Sequence, residues 1–249
     1  MTKTRIIALM FHRVNDPYSG CHPDQFAQYL DYLVKHFPIV VPGELAHEAV
    51  AICLTFDDAY YDFYHHVYPL LKQYQIKALL AVPVKYIVND TALSAETRLS
   101  TPYPQGMEGL TYQRKVAFCT WQELREMAAS GHVMIASHGF AHVAHTDKNV
   151  NLTQEIFESK QRLEDELNLT VKYFVYPFGK MTRQSHKLVR QVYDYGIRIG
   201  SALNLGWKHS GQLIYRIDAT PLWTQQQPIG KKLIYQTTLK YWRNRIRAL

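Results

Sequence analysis

Apolar residues fall along this chain in short, nearly unbroken runs that alternate with stretches repeating every three to four positions. The runs at 6–11, 51–56 and 78–84 have strand length and the continuous apolar character of strands buried on both faces. Behind the turn residues Pro23 and Asp24, Phe26, Leu30, Leu33 and Val34 recur at helical spacing, and Val67, Leu70, Leu71 and Tyr74 do so after the second run. The alternation predicts a helix at 121–129, a strand at 133–136 and a helix at 153–167 with Ile156, Leu163 and Leu167 on one face. A strand at 173–176, a helix at 187–195 and a strand at 197–202 follow. Such repetition favours a parallel sheet covered by helices, open or closed into a barrel. Between 89 and 118 the pattern breaks into a polar, Pro- and Gly-bearing segment, too long for an ordinary connection and therefore a lid or a substrate wall.

Composition narrows the class. At 249 residues one large domain is favoured over two small ones, and 47% hydrophobic with 20% charged residues excludes a disordered or low-complexity chain. Cys21, Cys53 and Cys119 are odd in number and lack C-x-x-C spacing, which argues against a disulfide framework or a cysteine zinc site. No run approaches the roughly 20 apolar residues of a membrane span, and residues 1–10 run too soon into His12 and Arg13 to read as an export signal. A cytoplasmic protein is expected.

Charge is uneven. The net +7 arises from 28 basic and 21 acidic residues, and the segment after Asp218 holds six basic and no acidic ones. There Tyr235, Leu239, Trp242, Ile246 and Leu249 form one helical stripe flanked by Lys240, Arg243 and Arg247. Residues 223–249 therefore read as a basic amphipathic helix, either docked on the body of the protein at 1–222 or lying on an anionic membrane, such as the inner face of the cytoplasmic membrane. The basic residues gather in this tail without a reading motif, so nucleic acid is not an expected partner.

Three strand ends carry the candidate chemistry. Thr55-Phe56-Asp57-Asp58 closes the second run, and paired carboxylates leaving an apolar strand are costly unless a cation or a proton relay uses them. A helix N-cap would account for Asp58 alone. His138 and His142 follow the strand at 133–136 as an i, i+4 pair that converges on one point if it forms a helical turn, as metal chelation requires. His142 with His145 is a competing pair, and His138 is preferred because it sits directly on the strand end. Tyr176-Pro177-Phe178-Gly179 ends the third strand in a sharp turn able to offer backbone N–H groups to a ligand. Two histidines and one carboxylate leave coordination positions open, which separates catalytic from structural zinc.

In this order the three segments resemble the polysaccharide deacetylase family, the NodB-homology or carbohydrate esterase family 4 fold. Leu9-Met10-Phe11-His12-Arg13-Val14 is similar to that family's opening strand, and residues 121–131 to the helix before its histidine strand. The resemblance, which spans about residues 6–218, implies a single-domain distorted (β/α)7 barrel. It makes Asp57 the general base, Asp58, His138 and His142 the ligands of a divalent metal, usually Zn2+, and the Phe178 backbone N–H the oxyanion donor. Three departures stand out. Ala59 occupies a position where Gly is usual, and Gly139 one where Thr or Ser commonly follows the first histidine. Val175 replaces an arginine that orients the base in many members, and Arg216 resembles a late arginine that contacts the base instead. His209 is the nearest late histidine for a general acid. His12, Tyr176 and Pro177 are expected to touch substrate.

Together these readings predict a metal-dependent hydrolase that removes an N-acetyl group from an amino sugar in a cell-envelope glycan, lipopolysaccharide or glycolipid precursor. The sugar is expected on a polyprenyl-phosphate or nucleotide carrier. The alternatives are a deformylase or O-deacetylase using the same site, and a non-catalytic glycan-binding protein on the same scaffold.

Overall fold

The computed structural model describes residues 4–16, 21–102, 105–207 and 213–248. Its frame is a ring of parallel strands: β1 (Arg5–Phe11), β2 (Val50–Phe56), β3 (Ala78–Val82), β4 (Val133–Ser137), β5 (Tyr173–Val175) and β6 (Tyr195–Ile199), joined past a two-residue strand β7 (Asn204–Leu205) by β8 (Leu213–Asp218). β8 pairs with β6 on one side and with Ala8, Leu9 and Met10 of β1 on the other, and β1 lies along the whole of β2. That closes a seven-stranded parallel barrel, the (β/α)7 arrangement expected above, with β7 antiparallel against Arg5 and Ile6 as a flap on its lower edge. Helices α1 (Pro23–His36), α2 (Tyr68–Tyr74), α5 (Trp121–Ala129), α6 (Ser159–Leu167) and α7 (Arg183–Val192) alternate with the strands, and short α3 (Ala95–Leu99) and α4 (Thr111–Arg114) occupy the long insertion. Short α8 (Thr220–Trp223) and α9 (Lys231–Ala248) end the chain.

Strand alternation sorts the side chains into two sets. Ile6, Ala8, Ala51, Cys53, Leu79, Ala81, Ala136, Val175, Ile197 and Ile214 form the barrel interior, while Ile7, Leu9, Phe11, Ile52, Leu54 and Phe56 face outward to the helices. The interior is notable for small residues, four of them alanine. That space matters, because Asp57 and Arg216 continue the inward phase of Ala51, Cys53 and Ile214.

The expected elements differ in detail. The helix expected at 153–167 opens with a π-helical turn at Gln154–Glu158 before α6, and the one expected at 187–195 starts at Arg183, where Thr182 and Ser185 cap it reciprocally. β8 went unanticipated as a strand because Arg216 interrupts its apolar run, although that arginine is fully buried. The insertion at 89–118 is strapped to the body. Arg98 donates to both Glu123 oxygens at 2.6 and 2.8 Å and to the Val116 and Phe118 carbonyls, and Arg13 donates to the Leu99 and Thr101 carbonyls. All three cysteines are buried, and none of them forms a disulfide.

Candidate active site

The site lies where the strands end, at the C-terminal rim that a parallel barrel leaves open to ligands. The ladder runs one residue past several strands. Asp57 N–H donates to the Phe11 carbonyl at 2.9 Å, His138 N–H to Val82 at 3.0 Å and Tyr176 N–H to Ile197 at 2.9 Å. Residues 57, 138 and 176 are thereby fixed to the frame rather than left on mobile loops.

Asp57 points inward and meets Arg216, which crosses the interior from β8. Arg216 Nη1 donates to Asp57 Oδ1 at 2.6 Å and Nη2 to Oδ2 at 2.8 Å, while Nη1 also reaches Thr55 Oγ1 at 3.2 Å. Arg216 is 0% and Asp57 3% exposed. Burial alone would raise the Asp57 carboxyl, but the Arg216 guanidinium, aided by His138, the Arg216 hydrogen bonds and His12, holds it well below the usual carboxylate range. The inward arginine of β8 thus stands against the base candidate in the absence of one at Val175. His12 Nε2, on the side chain one residue beyond β1, lies 3.9 Å from Asp57 Oδ2.

By strand alternation Asp58 would point outward among the helices, as Phe56 does. Instead Asp58 and Ala59 both adopt left-handed backbone, at φ 70° and 52°, and this turns the Asp58 carboxylate back over the barrel. The same conformation accounts for the glycine usual at position 59. Asp58 caps no helix. Its two oxygens are fully buried and have no hydrogen-bond partner in the protein, while Oδ1 lies 3.6 Å from His138 Nε2 and 3.4 Å from His142 Nε2. One ligand atom from each of Asp58, His138 and His142 falls within 4.8 Å of the others.

The histidines do not meet on a helical turn, as their spacing suggested. They sit on a loop in which Gly139 has φ 78° and His142 φ 57°, and their rings approach to 4.7 Å between centroids. Glu155, from the π-helical turn, holds this loop: its buried carboxylate accepts the Phe140 N–H at 2.9 Å and the Ala141 N–H at 3.0 Å. A Cβ on residue 139 would lie 2.3 Å from Glu155 Oε2, so glycine there follows from the carboxylate beneath it. Glu155 carries no motif signal, since an acidic residue early in a helix is common. The Val175 carbonyl is equally invisible in sequence. It accepts the His138 Nδ1–H at 2.8 Å and so leaves Nε2 with its lone pair toward Asp58.

The donor set fits a divalent cation. Burial, with His138 beside it, pushes His142 down to about 4, so its imidazole is neutral at pH 7 and able to ligate. An unpartnered buried carboxylate facing two Nε2 atoms costs free energy unless a cation completes it. His145 takes no part. It is buried between Phe174 and Tyr176, outside the Asp58, His138 and His142 group, with both ring nitrogens unpartnered.

Phe178 has φ 56° in the Pro177–Gly179 turn, and its ring, 57% exposed, packs against His142 at 4.6 Å. Tyr176 corrects an expectation. It is fully buried with its hydroxyl 2.8 Å from His186 Nδ1, so it supports the turn from behind and is not on a substrate-facing surface. Pro177 is also buried, against the Gly139 side of the histidine loop. His209 lies outside the described residues.

This barrel finds its counterparts among known proteins. Residues 46–199 match the polysaccharide deacetylase family, and the chain belongs to that family. Over 88 residues it is 34% identical to the poly-beta-1,6-N-acetyl-D-glucosamine N-deacetylase of Escherichia coli (strain K12), a match covering 35% of this chain but only 12% of that protein. Among solved structures, a Streptococcus pyogenes deacetylase, PplD, superposes with TM-score 0.69 and 22% identity over 95% of this chain and 99% of its own. IcaB from Ammonifex degensii gives TM-score 0.66 and 20% identity over 90% and 96%. At such identities the structural likeness establishes the fold.

Proposed function

We propose that this protein is a metal-dependent deacetylase that hydrolyses the N-acetyl amide of an amino sugar within a glycan. The observation that carries the reading is the pairing of unlike carboxylates: Asp58, buried and unpartnered beside two imidazoles, and Asp57, held ionised by Arg216. A glycan-binding module has no use for the second of these.

Asp58, His138 and His142 would hold the ion, which supplies Lewis acidity to polarise the acyl carbonyl and acidify a water, and zinc suits this N2O donor set. Asp57 acts as general base and takes the water proton at Oδ2, the oxygen nearest His12 and His138. Arg216 keeps that carboxylate ionised and in one orientation. The Phe178 N–H donates to the oxyanion as the carbonyl becomes tetrahedral. His12, partly exposed and 3.9 Å from the same Asp57 oxygen, gives the proton to the departing amine. The exposed Phe178 ring offers a face against which a sugar can stack.

The relative named above acts on poly-beta-1,6-N-acetyl-D-glucosamine, which makes N-acetylglucosamine oligomers the first substrates to test. Polyprenyl-phosphate-linked and nucleotide-linked N-acetylated sugars belong in the same screen. The test is metal analysis of the purified protein together with acetate and formate release from these substrates. Acetate release that requires the bound metal supports the proposal. Formate release alone makes the enzyme a deformylase, and a metal-loaded protein inert on every substrate overturns the catalytic reading.

A further inference from the structure

Helix α9 has two unlike faces. Thr237 and Tyr241 are buried, Tyr241 packs edge-on against Tyr215 of β8, the Thr237 carbonyl accepts the Leu203 N–H, and Asn244 Nδ2 donates to the Gly200 carbonyl at 2.8 Å. This face docks the helix on the barrel. At about 100° per residue, Tyr235, Leu239, Trp242 and Ile246 project from the opposite side. They are 66%, 53%, 48% and 73% exposed, and they make up half of the eight large hydrophobic residues exposed among the described residues. The two readings of the tail drawn from its sequence, docked and surface-active, are therefore compatible, because different faces serve each.

We propose that this outer face of α9 binds the surface of an anionic lipid bilayer. No described helix is long and apolar enough to cross a membrane, so the geometry is that of a helix lying in the interface. The apolar stripe supplies what enters the acyl boundary. Lys231, Lys232, Arg243 and Arg245, all exposed, flank it, and no acidic residue follows Asp218. Charge decides among occupants. A second copy of this chain would bring like-charged rims together around an apolar strip, whereas anionic headgroups neutralise them.

The placement also bears on the site. Gly200 follows β6 directly, and the preceding Ile199 packs against Gly179 of the Pro177–Gly179 turn. The C-terminal half of α9 thus sits beside one wall of the catalytic rim.

The experiment uses the full chain and phosphatidylcholine vesicles with or without phosphatidylglycerol. Binding is read by sedimentation and by quenching of tryptophan fluorescence with brominated lipid. Trp121, Trp207 and Trp223 are buried, so quenching reports on Trp242. The expected result is binding to the anionic vesicles alone, weakened by salt as the screening length shrinks to about 8 Å at physiological ionic strength. Quenching should accompany it. Leu239→Gln with Trp242→Gln should lower the partition coefficient at least tenfold, and Lys232→Gln or Arg243→Gln about fivefold each. These side chains face solvent and the docked face stays intact, so unchanged melting temperatures separate lost binding from lost fold. Truncation at Gly230 lacks that advantage because it removes Tyr241 and Thr237 from the core. The proposal is overturned if the protein ignores anionic vesicles at low salt or binds without quenching. It is also overturned if the chain is a dimer that Leu239→Gln dissociates. Vesicle binding requires no turnover and is read separately from catalysis.

Discussion

Replacing Arg216 with Met tests the ion pair at the centre of the site. The guanidinium and the Asp57 carboxylate are joined by two hydrogen bonds of 2.6 and 2.8 Å, and neither side chain is more than a few per cent exposed. Two unit charges about 4 Å apart at an effective dielectric of about 20 attract by about 4 kcal/mol. Removing one partner of a buried pair typically costs about 3–5 kcal/mol, because the other charge is stranded. With Arg216 gone, burial becomes the dominant influence on Asp57, and its carboxyl should rise toward or above the ordinary carboxylate range. Two consequences can be measured. The acid limb of the kcat/KM profile should move to higher pH, since the base is active only when ionised. In denaturant titrations, Arg216→Met should lose about 3–5 kcal/mol, Asp57→Asn should also be destabilised, and the double variant should be far more stable than the sum of the two losses implies. If the losses add to within about 0.5 kcal/mol and the acid limb stays in place, Arg216 neither stabilises nor holds the charge of Asp57.

Asp57→Asn is expected to abolish turnover while leaving bound metal unchanged, and His142→Ala to lose both; atomic absorption beside an acetate-release assay checks the pair. Glu155→Gln leaves one of its two acceptor oxygens on the histidine loop, so stability should fall by about 1–3 kcal/mol and metal affinity with it, read by calorimetric titration. Gly139→Ala should disturb the same loop by driving a methyl into Glu155, and normal metal affinity in that variant would refute the assigned contact. His66 and His145 are both pushed down to about 4 by burial, so the folded protein binds fewer protons than the unfolded chain between about 4 and 6.5. Their contribution to stability is complete above pH 6.5 and is lost as the pH falls through that window. His145→Leu should flatten the acid limb of a melting-temperature profile, and an unchanged limb would count against its buried neutral state.

The order of strands and helices was legible along the chain because parallel strands buried on both faces demand continuous apolar runs, and their covering helices demand a single apolar stripe. The Thr55 to Asp58 run and the His138 and His142 pair could be read because each stands where an apolar run ends in residues costly to bury, and the Tyr176 to Gly179 segment because Pro-x-Gly at a strand end forces a sharp turn. What each does there depended on backbone direction. Left-handed conformations at Asp58 and His142 swing side chains into the site that regular strand or helix geometry would send elsewhere, and although Asp and His adopt positive φ more often than most residues, the type alone does not say which of them will. Arg216 looked like an interruption of β8 until the closed barrel set it across from Asp57, a pairing between positions 159 residues apart. Glu155 and the Val175 carbonyl act through hydrogen bonds to neighbours distant in sequence, for which local pattern has no signature. Tyr176 was misread because a strand end by itself does not say which side of the turn faces solvent. The tail shows the same division: periodicity defined the apolar stripe of α9, and only the packing of Tyr241 and Thr237 on the barrel determined that the stripe points outward.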